Sequence, residues 1–362
     1  MAEVGVILAV DGNSLVHRSY HAAAGSAASL AEPIWAVRGI ITQIVAAVER
    51  VDADVVVVGF DDPDSSIRRI RWPQYKEQRT DKAQCLIDQL ALAMRVLDQM
   101  GIRVVTPTGL EADDVLASTA AFAKTIGART VIMTSDRDSF ALIDDTTNVL
   151  RIINGGVDAS PLLTPARLPA LLGITAGQYR DYAALRGDPS DNLPGVRGIG
   201  PKTAAKLLAA LGSAQAAFDD LATGGKRVVD AIGKGAARRL EAEEAVIAWR
   251  LNCQVMAMHD DVDLGLDCTA EAGPGLLPLA ADAVRRTFDH LRLVYSLPAA
   301  LRVLAGSAED VPERQAWSWP QPEARPDPEP ELESSSRSWS GKRRFPPLPP
   351  RPAPALQLSL FA

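Results

Sequence analysis

Four stretches of the chain are short and almost continuously apolar: residues 4–10 (VGVILAV), 54–60 (DVVVVGF), 102–107 (IRVVTP) and 129–135 (RTVIMTS). Runs of this kind suit parallel strands covered on both faces. Between them, residues 34–51 (IWAVRGIITQIVAAVERV) and 85–101 (CLIDQLALAMRVLDQMG) carry apolar positions at helical spacing. Residues 1 to about 175 therefore predict an α/β fold with a doubly wound, mostly parallel sheet. From 176 to 305 the strands fade. Helical segments and glycine-rich turns replace them, as in GVRGIGPKTAAKLLAALG and GAARRLEAEEAVIAWRLN. This predicts a second, helical region packed on the first. Residues 306–362 hold twelve of the 25 prolines, so this tail cannot bury a core and is predicted to be disordered. Its last residues, ALQLSLFA, turn apolar again.

Composition narrows the picture only a little. The 362 residues suit about two domains. A net charge of −7 argues mildly against a nucleic-acid partner, but a local basic patch overrides such an average. Cys85, Cys253 and Cys268 are scattered and form no CxxC pair, which predicts a reduced, cytoplasmic setting. The first apolar run has no basic region before it and reads as a strand, not a signal peptide. No run reaches the roughly 20 apolar residues of a membrane span.

The ends of the strands carry the chemistry. The first ends at Asp11, the second at Asp61, and the fourth at Asp136 with Asp138. The third leads into GLEADD, with Glu111, Asp113 and Asp114 at a predicted helix start. Ligands of open parallel sheets bind beyond the carboxyl ends of the strands, so these acids converge on one edge. One such aspartate alone is a turn former or helix cap. Seven carboxylates at one edge repel unless cations sit among them. Mg²⁺ fits best, because it takes oxygen ligands, and His17, His21, His259 and His290 form no zinc-type cluster. His17 and His21 share a helix face and read as structural or substrate-side. Two ions about 4 Å apart would suit phosphodiester hydrolysis. The stretch LRGDPSDNLPGVRGIGPKTAAKLL adds Asp188 and Asp191, which alone suggest only a turn. The glycine turn that follows them enters a helix at Pro201. Its backbone N–H groups and Lys202 suit a DNA phosphate.

The stretches VDGNSLVHRSYHA, GFDDPDSSIRRIRWPQYKEQRT, GLEADDVLAS, VIMTSDRDSFALI and LRGDPSDNLPGVRGIGPKTAAKLL together resemble the bacterial 5′-nuclease (flap endonuclease) family, as in the N-terminal domain of DNA polymerase I. The resemblance runs in family order over roughly residues 5 to 300. It implies a PIN-like core over 1–175 with a helical arch over about 65–95, and a helix-hairpin-helix-like (helix–three-turn–helix) DNA-binding region over 176–305. A Pro-rich linker over 306–356 follows. It implies two metal sites holding Mg²⁺, with Mn²⁺ also suitable, and K⁺ as a candidate at the GVRGIG turn. Asp11, Asp61, Glu111, Asp113 and Asp114 would form the tighter site with Asp136 and Asp138. Asp188 and Asp191 would form the second. Asp136 and Asp138, lying between the two, should be the costliest acids to lose.

The basic segment IRRIRWPQYKEQRTDK then reads as more than a solvated face. By resemblance Lys76 and Arg79 act at the scissile phosphate, and Arg18, Arg68, Tyr75, Gly198, Gly200 and Lys202 join Tyr20 in binding DNA. Tyr20 is either a base-stacking residue or a core aromatic. The chain departs from the family pattern at Ala183, where a basic residue is usual. Arg186 lies three residues on. Asp62 beside Asp61 leaves the ligand ambiguous by one position. No polymerase sequence follows, which predicts a stand-alone, monomeric nuclease. QLSLF, with Gln357, Leu358, Leu360 and Phe361, matches the peptide by which bacterial proteins bind the DNA sliding clamp. The leading expectation is a 5′-3′ exonuclease and flap endonuclease, associated with the nucleoid, that acts on 5′ flaps, nicks and RNA–DNA primers. The alternatives are a junction-binding, clamp-docked module of weak activity, which would gain nothing from so many acids, and a PIN-type ribonuclease.

Overall fold

Complete burial of two apolar runs sets the centre of the sheet. Both β1 (Val6–Asp11) and β2 (Val55–Gly59) are buried along their whole length. β3 (Arg103–Val105), β4 (Arg129–Thr134), β5 (Thr147–Arg151) and β6 (Leu162–Leu163) complete a sheet of order β3-β2-β1-β4-β5-β6. Every neighbouring pair is parallel except β5–β6. The computed structural model describes residues 4–27 and 33–307. The strand order reverses between β1 and β4. The expected doubly wound, mostly parallel sheet is therefore present, and its switch point lies where Asp11 and Asp136 emerge.

Helices cover both faces. The first part of the chain supplies α1 (Gly12–Ala27), α2 (Trp35–Val51), α3 (Ile67–Arg71), α4 (Gln84–Met100) and α5 (Ala112–Thr125). Short helices α6 (Gly156–Ala159) and α7 (Leu168–Leu172) lead to α8 (Tyr179–Arg186). Then come α9 (Pro201–Leu211), α10 (Ala214–Ala222), α11 (Lys226–Ile232), α12 (Lys234–Leu240) and α13 (Glu243–Val255). α14 (Ala281–His290) and α15 (Leu297–Ala305) close the described chain.

On one face, Val10 and Val58 share a core with Ile40 and Ile44 of α2 and Leu97 of α4. Val284 and Phe288 of α14 and Leu301 of α15 enter this same cluster. The last two helices thus return to the sheet and do not extend the helical region that precedes them. On the other face, Ala9, Ile132 and Val149 share a cluster with Leu185 of α8, Leu207 of α9 and Leu240 of α12. That continuous core ties the glycine turn before α9 to the strands that carry the acids.

The segment expected as an arch forms α3, a run of turns and an irregular stretch that enters α4. Lys76, within the turns, has φ +56, a left-handed conformation that is costly for a side chain of this kind and clusters at functional sites. Two backbones nearly touch where Asp188 leaves α8. Gly187 has φ +75, and a Cβ there would lie 2.1 Å from the Gly195 nitrogen. Only glycine permits this crossing, and the crossing aims the GDPSDN loop back toward the sheet edge.

Candidate metal and nucleic-acid site

Three strand ends are bound to one another before any ligand is considered. Thr134, the last residue of β4, donates through Oγ1 to Asp11 Oδ2 at 2.7 Å, and the Ser14 N–H donates to Asp11 Oδ1 at 2.9 Å. The same Thr134 Oγ1 accepts the Asp136 N–H at 2.9 Å. Asn13 Nδ2 donates to Asp61 Oδ2 at 2.7 Å, and the Asp61 N–H donates back to Asn13 Oδ1 at 3.0 Å. Asp62 spends its carboxylate on the Gly109 N–H at 2.6 Å, the Ser65 hydroxyl and the Asp64 N–H. Asp62 thus shapes a turn, while Asp61 is held against the starts of α1 and α5.

The floor of the site is rich in disfavoured charge. Burial pushes the carboxyls of Asp11 and Asp138 each up to about 7. It also raises that of Asp113, which faces the charges of Asp11, Asp136 and Asp138 as well. Asp138 in turn faces Asp136, Asp188 and Asp191. Asp136 and Asp138 thus stand between the acids of the sheet and those of the GDPSDN loop. Asp113 Oδ1 and Asp138 Oδ1 are buried with no hydrogen-bond partner. Among the described residues, no three His, Cys, Asp or Glu side chains are grouped closely enough to form a ready metal site.

Other acids of the array belong to the protein's own cations. Arg68 donates from Nη1 and Nη2 to the two oxygens of Asp114, each at 2.7 Å. It also donates to the carbonyls of Val255 and Ala257. Asp114 further accepts the N–H groups of Glu111 and His259. This replaces two expectations. Asp114 has no oxygen left for a metal, and Arg68 is buried, not exposed to DNA. A buried carboxylate holds a forked guanidinium in preference to leaving either charge unpaired. Tyr75, also expected at the DNA, is buried too, and its hydroxyl donates to Glu111 Oε2 at 3.1 Å.

Lys76 Nζ lies 3.0 Å from Glu111 Oε2 and 3.9 Å from Asp191 Oδ2. Burial works against its charge, but Glu111 and Asp191 outweigh that effect and raise its pKa, so the ammonium stays protonated. Arg79 Nη2 reaches Asp191 Oδ1 at 2.5 Å. Arg186 Nη2 lies 3.8 Å from Asp188 Oδ2, while Ala183 is buried.

A cleft of about 1890 Å³ opens over the acids. Asp11, Asp61, Glu111, Asp113, Asp136 and Asp188 line it, together with His17, Arg18 and His21 of α1 and with Arg69, Ile70, Lys76, Arg79, Lys82 and Ile87 of the stretch from α3 to α4. Tyr20 is not part of the lining. Its ring is half-buried and stacks on Trp35 with centroids 5.4 Å apart. Gly198, Gly200 and Lys202 lie at the head of α9, apart from the cleft. Gly198 has φ +77, and Arg239 lies against it.

Comparison with known proteins assigns the lineage. Residues 6–167 match the model of the 5′-3′ exonuclease N-terminal, resolvase-like domain, and residues 174–272 match that of the 5′-3′ exonuclease C-terminal SAM fold. The chain belongs to the 5′-3′ exonuclease family. A thermostable DNA polymerase I of Thermus thermophilus is 35% identical over 287 residues, which are 79% of this chain and 32% of that relative. The chain thus spans about a third of the length of that curated relative. A structure of T5 5′-exonuclease with divalent metal ions (zinc) bound superposes with TM-score 0.50 and 20% identity, over 70% of this chain and 98% of that one. The catalytic core of Rad2 in complex with DNA substrate gives TM-score 0.51 and 17% identity, over 84% and 92%. These two likenesses concern the fold.

Within this member of the 5′-3′ exonuclease family, the strand-end acids were legible from sequence. Their supports were not. Asn13, Thr134 and Ser14 orient Asp61 and Asp11, and only the DGN and MTS sequences beside those acids hinted at them. Among the described residues no helix is long and apolar enough to cross a membrane. The linker over 308–356 and the peptide Gln357 to Phe361 lie outside the described residues.

Proposed function

We propose that the chain is a divalent-metal-dependent 5′-3′ exonuclease and 5′-flap endonuclease that hydrolyses phosphodiester bonds in DNA. One observation carries the reading. Asp113 and Asp138 each bury a carboxylate oxygen without a partner, facing the charges of Asp11, Asp136, Asp188 and Asp191. Such a donor set suits hard cations with oxygen ligands. Asp11, Asp61, Glu111, Asp113, Asp136 and Asp138 would hold one, and Asp188 and Asp191 a second with Asp136 and Asp138. Mg²⁺ is the proposed ion, and Mn²⁺ fits the same donors. When bound, two such ions supply an activated water and charge stabilisation at the leaving oxygen. Residue by residue, Thr134 and Ser14 keep Asp11 facing the cleft, and Asn13 keeps Asp61 there. Lys76, charged and fixed by Glu111, presents an ammonium to a phosphate above the acids. Arg79 holds the Asp191 loop through their ion pair.

Residues 1–175 form the proposed nuclease core and 176–305, whose last two helices pack back on the sheet, the proposed DNA-binding region, where the N–H groups at the head of α9 and Lys202 take a phosphate. K⁺ at the GVRGIG turn belongs to the same proposal. Free Cys85, Cys253 and Cys268 are consistent with a reducing, cytoplasmic setting. The sequence QLSLF supports docking to a DNA sliding clamp. The deciding experiment uses a 5′-labelled flap duplex with Mg²⁺ or EDTA, and Asp136→Asn as control. Metal-dependent cutting near the junction, lost in the variant, is the expected result. Tight junction binding without cutting would leave a DNA-binding protein and overturn the enzyme.

A further inference from the structure

Of the cations beside the acids, Lys76 and Arg79 have a place in the reading above and Arg186 has none. It stands next to the acid of the GDPSDN loop that has an oxygen to spare. Asp188 accepts, at Oδ1, the Ser190 N–H at 2.8 Å and the Ser190 hydroxyl at 2.5 Å. Its other oxygen, Oδ2, has Arg186 Nη2 at 3.8 Å, an ion-pair distance too long for a hydrogen bond. Oδ2 is therefore attracted but not captured. Asp138 feels the same cation: burial, Asp136, Asp188 and Asp191 push that carboxyl up, and Arg186 counters them.

Arg186 is also held differently from Lys76 and Arg79. It is the last residue of α8, where a basic side chain meets the free carbonyls at the negative end of the helix. Its Nε donates to the Gly187 carbonyl at 3.0 Å, and its guanidinium carbon lies 5.6 Å from the centre of the Tyr182 ring. Tyr182, Ala184 and Leu185 of the same helix are buried, which fixes the guanidinium in place. Lys76 and Arg79 belong to the run of turns after α3, and the Arg79 side chain is half exposed. Asp188 and Ser190 line the cleft, whereas Arg186 does not. Its charge therefore acts on the acids from behind, with no face toward a strand in the cleft.

We infer that Arg186 is a resident cation of the second acid set, fixed behind Asp188 and Asp138, and that it weakens the hold of that set on a divalent ion. The inference rests on the functional reading above and adds what tunes one of its two sites. Without metal, the guanidinium offsets negative charge that burial opposes. It stays where the helix end and Tyr182 hold it, so it opposes the positive charge of any ion on the same acids. A unit charge within a few ångströms of a doubly charged ion costs about tenfold in affinity even at the screening of bulk water. Arg186 is thus a positioning residue that acts through Asp188 and touches no substrate.

The test measures Mn²⁺ binding to the full chain without DNA, from the electron paramagnetic resonance signal of the free ion, so cleavage does not enter the readout. Asp188→Asn marks which bound ion belongs to the second set. Arg186→Met keeps the stem against Tyr182 and removes the charge. It should tighten that ion about tenfold and leave the other unchanged, while Arg186→Lys keeps the affinity of the unaltered chain. Melting curves separate this from a purely structural role. Lost packing alone lowers the melting temperature equally with and without Mn²⁺. The inferred role lowers it in EDTA and enlarges the gain on adding Mn²⁺. Arg186→Gln makes the same comparison if Arg186→Met does not fold. Unchanged or weaker binding of the second ion in the charge-free variants overturns the inference alone, as does an Asp188→Asn variant that loses no ion. If the unaltered chain binds no Mn²⁺, the functional reading falls and takes the inference with it.

Discussion

Asp11, Asp113, Asp136 and Asp138 face one another with no ion pair to any protein cation among the described residues, while in the same array Glu111, Asp114 and Asp191 each hold a lysine or arginine. These acids read alike in the sequence, yet the fold treats them in opposite ways. The paired acids fasten the segment of α3 and Lys76 to α5 and to the GDPSDN loop. The unpaired acids are left with charge that burial opposes. A carboxylate whose two oxygens are both taken by a guanidinium, as in Asp114, has little affinity left to offer a metal, whereas one with a buried, unpartnered oxygen has most of it. The array is therefore a site set within a clamp, and not one uniform cluster.

Substitutions on the two sides should separate sharply. Asp138→Asn should reduce flap cleavage by about 10³-fold, the scale for losing a group that stabilises transition-state charge. Single-turnover cleavage reads this, and thermal melting of the metal-free variant should show no loss of stability. Arg68→Ala should do the opposite. It strands Asp114, which is 0% exposed, and should cost about 3–5 kcal/mol of stability. Urea unfolding measures it, and a value under about 1 kcal/mol would dissolve the clamp half of the comparison.

A milder effect separates the halves by pH. Asp11 and Asp138 titrate near 7 in the fold and near 4 in an unfolded chain. The folded state thus binds more protons between these values. The contribution of these two groups to stability without metal is therefore fully present below about pH 4, and it is lost as pH rises toward 7. Melting curves in EDTA should show that decline, and Asp138→Asn should make it shallower. Saturating Mg²⁺ should flatten it. The smallest effect belongs to Arg79→Gln. Its ion pair with Asp191 is half exposed, so stability should change by less than about 1 kcal/mol, while cleavage falls. A large loss of stability in the melt would move Arg79 into the clamp.

How much could be read in advance differs by element. β1, β2 and β4 announced themselves, since each is an apolar run ended by an acid. β5 did not: TNVLR is five residues long, flanked by turn formers, and only its place beside β4 makes it a strand. The turn of 3-10 helix from Asp138 to Leu142 was equally hidden. α14 and α15 read as a continuation of the helical region because their amphipathic spacing says that they bury a face but not against what. Tyr20 suited a base or a core equally well, and its contact with Trp35 was not written in the spacing.

The amino-acid sequence by itself determined the sheet, the placing of acids at its carboxyl edge and the lineage, because strand runs, turn residues and motif order are local properties. It could not say which acids are spent. That choice depends on Arg68 and Lys76, which meet Asp114 and Glu111 only after some 35 to 46 intervening positions have folded. Only tertiary structure decided it, because Coulomb energy follows distance in space and the cost of an unpaired charge follows burial, and neither is written in spacing along the chain.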